Sequence, residues 1–164
     1  MLRKALMLSA FIALGALPVP AFAHNVDGHG DGHYEFGHPG TAKDVTRTVK
    51  IAASDYQFTP TELTVSKGET VKFIVTNTSK HMHEFTVGDE DSQLEHRKSM
   101  AAMGDMHDMK GMDGEHAMPS NSVHVAPGKT GELIWTFEGT RDLLFACNFP
   151  GHADLGMEGK IKVQ

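Results

Sequence analysis

The residues able to do chemistry gather near the C-terminal end. Phe145-Ala146-Cys147-Asn148-Phe149-Pro150-Gly151-His152 is followed by Met157, so a thiolate, an imidazole and a thioether fall within eleven residues. His83 lies at the end of an earlier β-like block, from which a second imidazole can approach the same point. Two imidazoles and a thiolate in a trigonal set, with a weak axial thioether, are the donors of a blue-copper electron-transfer site. A site that passes between Cu(II) and Cu(I) needs ligands acceptable to both; imidazole suits the first, thiolate and thioether the second. Pro150-Gly151 is placed to make the turn that returns His152 to the metal. His81, in His81-Met82-His83, competes with His83 for the first ligand position.

Each residue also has a plainer reading. A cysteine after an apolar run is often a small buried hydrophobe, Met157 alone reads as core, and His83 alone reads as a surface histidine. One cysteine is few for a closed zinc site, and no third group is evident for a catalytic cysteine. The combination favours copper.

Such ligands need a rigid support, and the flanking sequence supplies strands. Val45, Val49 and Ile51 alternate with Thr46, Thr48 and Lys50; Val71, Phe73 and Val75 alternate, as do Leu133, Trp135 and Phe137. Glu62–Ser66, Glu84–Val87, Val123–Val125 and Leu143–Cys147 are shorter runs, and Ile161 and Val163 close the chain. Lys67-Gly68 and Pro127-Gly128 are turns between them. Short strands separated by turn signals predict an all-β sandwich, built from residues 44–88 and 119–164. The stretch 89–118 between these blocks is charged, glycine-containing and methionine-rich, and is expected to be an inserted loop.

The first 23 residues are set apart. Arg3 and Lys4 precede an apolar run over residues 5–19, and Ala21-Phe22-Ala23 is a small-x-small cleavage signature. This is the pattern of a secretory signal peptide, and the run is short for a membrane span. The expected location is the periplasm, with no membrane required. Removing Arg3 and Lys4 takes the formal net charge from −6 to −8, which argues against phosphate-directed nucleic-acid binding. Cys147 is then a lone cysteine in an oxidising compartment, protected by burial or by a metal.

Two segments carry further soft or imidazole donors. Residues 24–43 are polar and glycine-rich, with His24, His29, His33 and His38; this segment is expected to be a mobile tail able to bind Cu(II). Met100, Met103, Met106, Met109 and Met112 recur every third residue, a spacing that fans around a helix instead of forming one buried stripe. Asp105, Asp108 and Asp113 lie among them, and Gly104, Gly111 and Gly114 weaken a helix. An exposed Cu(I)-binding segment is therefore expected.

The loop from Cys147 to His152 resembles the Cys-Thr-Phe-Pro-Gly-His loop of azurin, and its longer gap before Met157 resembles rusticyanin. Asp55-Tyr56-x-Phe58-x-Pro60, Gly68-Glu69-Thr70-Val71 and Ala126-Pro127-Gly128 are also similar to bacterial cupredoxins. The resemblance spans about residues 45–88 and 119–164. It implies a Greek-key sandwich with one type 1 copper at one end, held by His83, Cys147, His152 and Met157. His83 is preferred over His81 because His-x-Phe leading into Val87 matches the family pattern. The resemblance also implies support of the Cys147 sulfur by the Phe149 amide, and electron exit at the His152 ring edge. Glu84 departs from the family, since azurin has asparagine there. The two accessory segments make the chain similar to periplasmic copper-tolerance cupredoxins of the CopI type. That implies copper handling, with copper ions, a periplasmic redox protein or a copper exporter or oxidase as partners. A diffusible electron carrier is the alternative. No enzymatic activity is expected, since a copper oxidase or nitrite reductase needs a further catalytic copper site and more chain.

Overall fold

The computed structural model describes residues 34–102 and 119–164. In chain order the strands are β1 (Gly37–Pro39), β2 (Arg47–Ser54), β3 (Gln57–Thr59), β4 (Glu62–Val65), β5 (Thr70–Asn77), β6 (His83–Gly88), β7 (Ser122–Val125), β8 (Thr130–Phe137), β9 (Leu143–Ala146) and β10 (Glu158–Val163); α1 (Glu90–Ala102) follows β6. They form two five-stranded sheets, ordered β1-β8-β5-β2-β3 and β4-β10-β9-β6-β7. The pairings β2–β5 and β4–β10 are parallel and the others antiparallel.

The alternating patterns do what their period requires. Val71, Phe73 and Val75 of β5, and Leu133, Trp135 and Phe137 of β8, all point into one core between the sheets. Phe58, Phe85 and Phe145 meet there from both sheets, with ring centroids 5.2–5.6 Å apart. This sandwich matches the all-β fold expected from the sequence.

Two expected boundaries differ. The tail expected over 24–43 does not extend that far, because residues 34–39 belong to the sandwich. Gly37–Pro39 pairs with Trp135–Phe137 of β8, Phe36 is buried, and the rings of Tyr34, Phe36 and Trp135 cluster with centroids within 5.8 Å of one another. Two aromatic residues in a polar stretch outweigh its glycine content, since aromatic burial dominates such ledgers. Gly37 is required there: its φ is 145°, and a Cβ would fall onto the Thr136 carbonyl oxygen. Likewise, the segment expected to be an inserted loop from residue 89 begins as α1. The Asp89 side chain accepts from the Ser92 amide at 3.0 Å, an N-cap, and Glu90 and Asp91 favour the positive end of the helix dipole.

Candidate metal centre

Register brings three of the expected ligands to one end of a sheet. His83 opens β6, Cys147 directly follows β9, and Met157 directly precedes β10. β9 lies between β6 and β10 and is antiparallel to both, with Ala146 opposite Thr86 on one side and Glu158 on the other. The end of β9 is therefore level with the start of β10, while β6 runs three residues past it to His83, and the Cys147 amide donates to the Met157 carbonyl at 3.0 Å. His152 arrives by a tight turn. Its amide donates to the Phe149 carbonyl at 3.0 Å, with Pro150 and a left-handed Gly151 (φ 81°) between them. Proline second and positive-φ glycine third make a type II turn.

The Cys147 Sγ lies 3.3 Å from His152 Nδ1 and 3.9 Å from His83 Nδ1. All three donor atoms fall within 4.8 Å of one another, and Met157 is fully buried at the root of the same loop. The other nitrogen of His83, Nε2, is 2.8 Å from Ser79 Oγ, which fixes the ring with Nδ1 turned to the sulfur. Asn77 holds Ser79 in turn. Its Oδ1 accepts from both the amide and the hydroxyl of Ser79 at 2.9 Å, while its Nδ2 donates to the carbonyls of His81 and Val125. His81 is exposed and stacks on Tyr56, outside the converging group. Tyr56 also meets the His152 ring edge to face, with ring centroids 5.0 Å apart.

Burial leaves both imidazoles ready to ligate. It is the largest cause that lowers His83 to about 4, helped by the nearby His152 and His81, and it lowers His152 as well. Near neutral pH both rings are uncharged and keep a lone pair. The Cys147 thiol is pushed up to about 12, chiefly by burial; amide hydrogen bonds from Glu84 and Phe149 oppose this, and the Glu84 charge adds to it. The amide support expected from Phe149 is thus present. A cation supplies the positive charge this pocket lacks and deprotonates a coordinating thiol outright. Two neutral imidazoles, one thiol with amide donors and a buried thioether fit copper in either oxidation state.

Glu84 carries more than its sequence position suggested. Its carboxylate is fully buried, and its Oε1 accepts from His96 Nε2 (2.8 Å), Ser122 Oγ (2.9 Å) and His124 Nε2 (3.3 Å). Its Oε2 accepts from the Asn148 amide at 3.2 Å. Burial pushes this carboxyl up, but the bonds and charges of His124 and His96 outweigh it and hold the group well below the usual carboxylate range. His96 and His124 were not among the sequence candidates. Knowing the β6–β7 register would have found His124, which stands directly opposite Glu84.

The accessory donors fare differently. Met100, expected on an exposed metal-binding segment, is 3% exposed on α1. It lies seven residues after buried Gln93, and so on the same helix face, which packs on β6 and β9. His38, expected in a mobile tail, sits in β1, with Nδ1 3.0 Å from the Pro39 carbonyl oxygen and Nε2 3.7 Å from Glu138. His24, His29, His33, Met103, Met106, Met109 and Met112 lie outside the described residues. Among the described residues, no helix is long and apolar enough to cross a membrane.

Comparison with known proteins places this geometry in a family. Residues 45–164 match the model of copper-binding proteins of the plastocyanin/azurin family. The copper-resistant cuproprotein CopI of Pseudomonas aeruginosa is 36% identical, over 100% of this chain and 99% of the relative. CopI of Rubrivivax gelatinosus is 38% identical, over 92% of this chain and 82% of the relative. Among solved structures, auracyanin A, a "blue" copper protein from Chloroflexus aurantiacus, superposes with a TM-score of 0.57 at 26% identity, covering 71% of this chain and 98% of the other. The chain belongs to the plastocyanin/azurin family of copper-binding proteins, the cupredoxins.

Proposed function

We propose that this protein is an exported cupredoxin that protects the cell envelope from excess copper, with His83, Cys147, His152 and Met157 as the ligands of one type 1 copper. The observation that carries the ligand assignment is the convergence of His83 Nδ1, Cys147 Sγ and His152 Nδ1 within 4.8 Å. Copper bound there supplies one-electron chemistry between Cu(II) and Cu(I). The chain's own part is to hold the donors still. Ser79 fixes the His83 ring, the Pro150-Gly151 turn sets His152, and the Glu84 and Phe149 amides steady the sulfur. On this reading it is a binding protein rather than an enzyme, because Cys147 is wholly buried and closed to an organic substrate.

The tolerance role is supported by relatives bearing the name CopI along almost the whole of this chain. It is supported also by the signal-like N-terminus and by the histidine and methionine segments, which suit Cu(II) and Cu(I) respectively. The segment around Met103–Met112 would capture Cu(I), and that around His24–His33 would capture Cu(II). Deleting the gene should sensitise cells to copper and leave respiration normal at low copper. A respiratory defect without copper sensitivity would instead establish the second reading, a diffusible periplasmic electron carrier.

A further inference from the structure

We propose that Glu84, His96 and His124 form a second copper site, distinct from the type 1 centre and coupled to it. Three elements bring these side chains to the Glu84 carboxylate: Glu84 from β6, His124 from the facing position of β7, and His96 from α1, which packs across β6. Both imidazoles aim Nε2 at the same carboxylate oxygen, at 2.8 and 3.3 Å, and the Ser122 hydroxyl meets it at 2.9 Å. A buried carboxylate needs hydrogen-bond partners, but two imidazoles from separate elements on one oxygen exceed that need. The serine and the Asn148 amide already give each oxygen a donor.

Two imidazoles and a carboxylate are a metal-binding donor set, and among divalent first-row ions such nitrogen and oxygen sites favour Cu(II) most strongly. Glu84 is sealed from solvent, whereas the His96 and His124 side chains keep 15% and 14% exposure. The site is therefore closed on the side of the type 1 centre and open on the other. An ion entering from that side replaces the two imidazole–carboxylate hydrogen bonds, with each ring carrying its proton on Nδ1.

The two sites share backbone. Glu84 follows His83, and its amide donates to the Cys147 sulfur at 3.3 Å. The amide of Asn148, the residue after Cys147, donates to Glu84 Oε2. Charge placed on Glu84 is thus one peptide and one hydrogen bond from the thiolate, and filling this site perturbs the colour of the other. The inference rests on the copper ligands proposed above but not on the tolerance role.

The test uses the full mature chain with its type 1 site already filled, titrated with further Cu(II). H96Q/H124Q keeps an N–H donor for each hydrogen bond to Glu84 but removes both imidazole ligands. Wild type should take up one more tight Cu(II) than H96Q/H124Q, with a copper EPR signal of tetragonal type. As that equivalent binds, the thiolate-to-copper band should shift in wild type and stay still in the variant. Histidines elsewhere in the chain are common to both proteins and cancel. Equal uptake by the two proteins, or a thiolate band indifferent to the added ion in wild type, overturns the proposal. Should H96Q/H124Q lose its type 1 colour, H124Q alone decides the matter. It should weaken the added equivalent by at least about tenfold, the lower end of what even an indirect partner of a metal ligand contributes; unchanged affinity overturns the proposal equally.

Discussion

At the scale of single residues, the centre depends on groups that never touch a metal. Ser79 is the clearest, because its hydroxyl is 2.8 Å from the outer nitrogen of His83 and is itself held by Asn77. Ser79→Ala frees the His83 ring and removes the bond that fixes its tautomer. Copper affinity should fall by roughly 10–100-fold with the fold unchanged, as read by competition with a chelator of known affinity. The converging residues were legible in the sequence because their types are rare together: a lone cysteine, a histidine five positions on and a methionine five beyond that. Ser79, Asn77, His96 and His124 were not legible. Serine, asparagine and surface histidine are common, and only register or a folded loop shows what they face. Glu84 stood between these cases, visible as a departure from the family but without its partners.

At the scale of elements, period-2 alternation announced β5 and β8 directly, since each buries alternate residues against the core. β1 was hidden because its three residues, Gly37, His38 and Pro39, are too few to show a period and none is a typical strand former. Its stability comes from Phe36, which is 5% exposed, stacks on Tyr34 and packs tilted against Trp135. Phe36→Ala should cost about 3–5 kcal/mol and lower the thermal midpoint, while the type 1 colour at room temperature persists. A loss well below 1 kcal/mol would mean that β1 is a loosely attached strand. The methionine repeat shows the opposite failure. Its spacing suggests one exposed segment, but Met100 lies on α1 and is buried against the sheet; Met103, Met106, Met109 and Met112 lie outside the described residues.

At the scale of the whole molecule, the buried ligands set a pH window for the metal-free protein. His83 is lowered from 6.5 to about 4, so the unfolded chain binds more protons between those values and stability is lost as pH falls through them. Glu84, also lowered, acts in the same direction at still lower pH. Cys147 is raised from 9 to about 12, so the unfolded chain releases its proton first and stability is lost as pH rises above about 9. The urea midpoint of the metal-free protein should therefore be highest between about pH 6.5 and 9 and decline on both sides. A midpoint still rising at pH 10 would contradict the thiol assignment. Copper binds the folded chain and should raise the midpoint throughout the window by mass action. The burial of Cys147 has a consequence in time as well as in energy. Thiols are lost to oxidants and alkylating agents as thiolates, at a rate set by ionisation and access, and this sulfur is denied both. The metal-free molecule thereby keeps its sulfur intact for as long as it stays folded, so metal can be loaded long after folding. Iodoacetamide should label metal-free folded protein no faster than the fold opens; rapid labelling at pH 7.5 would show that the sulfur is not so kept.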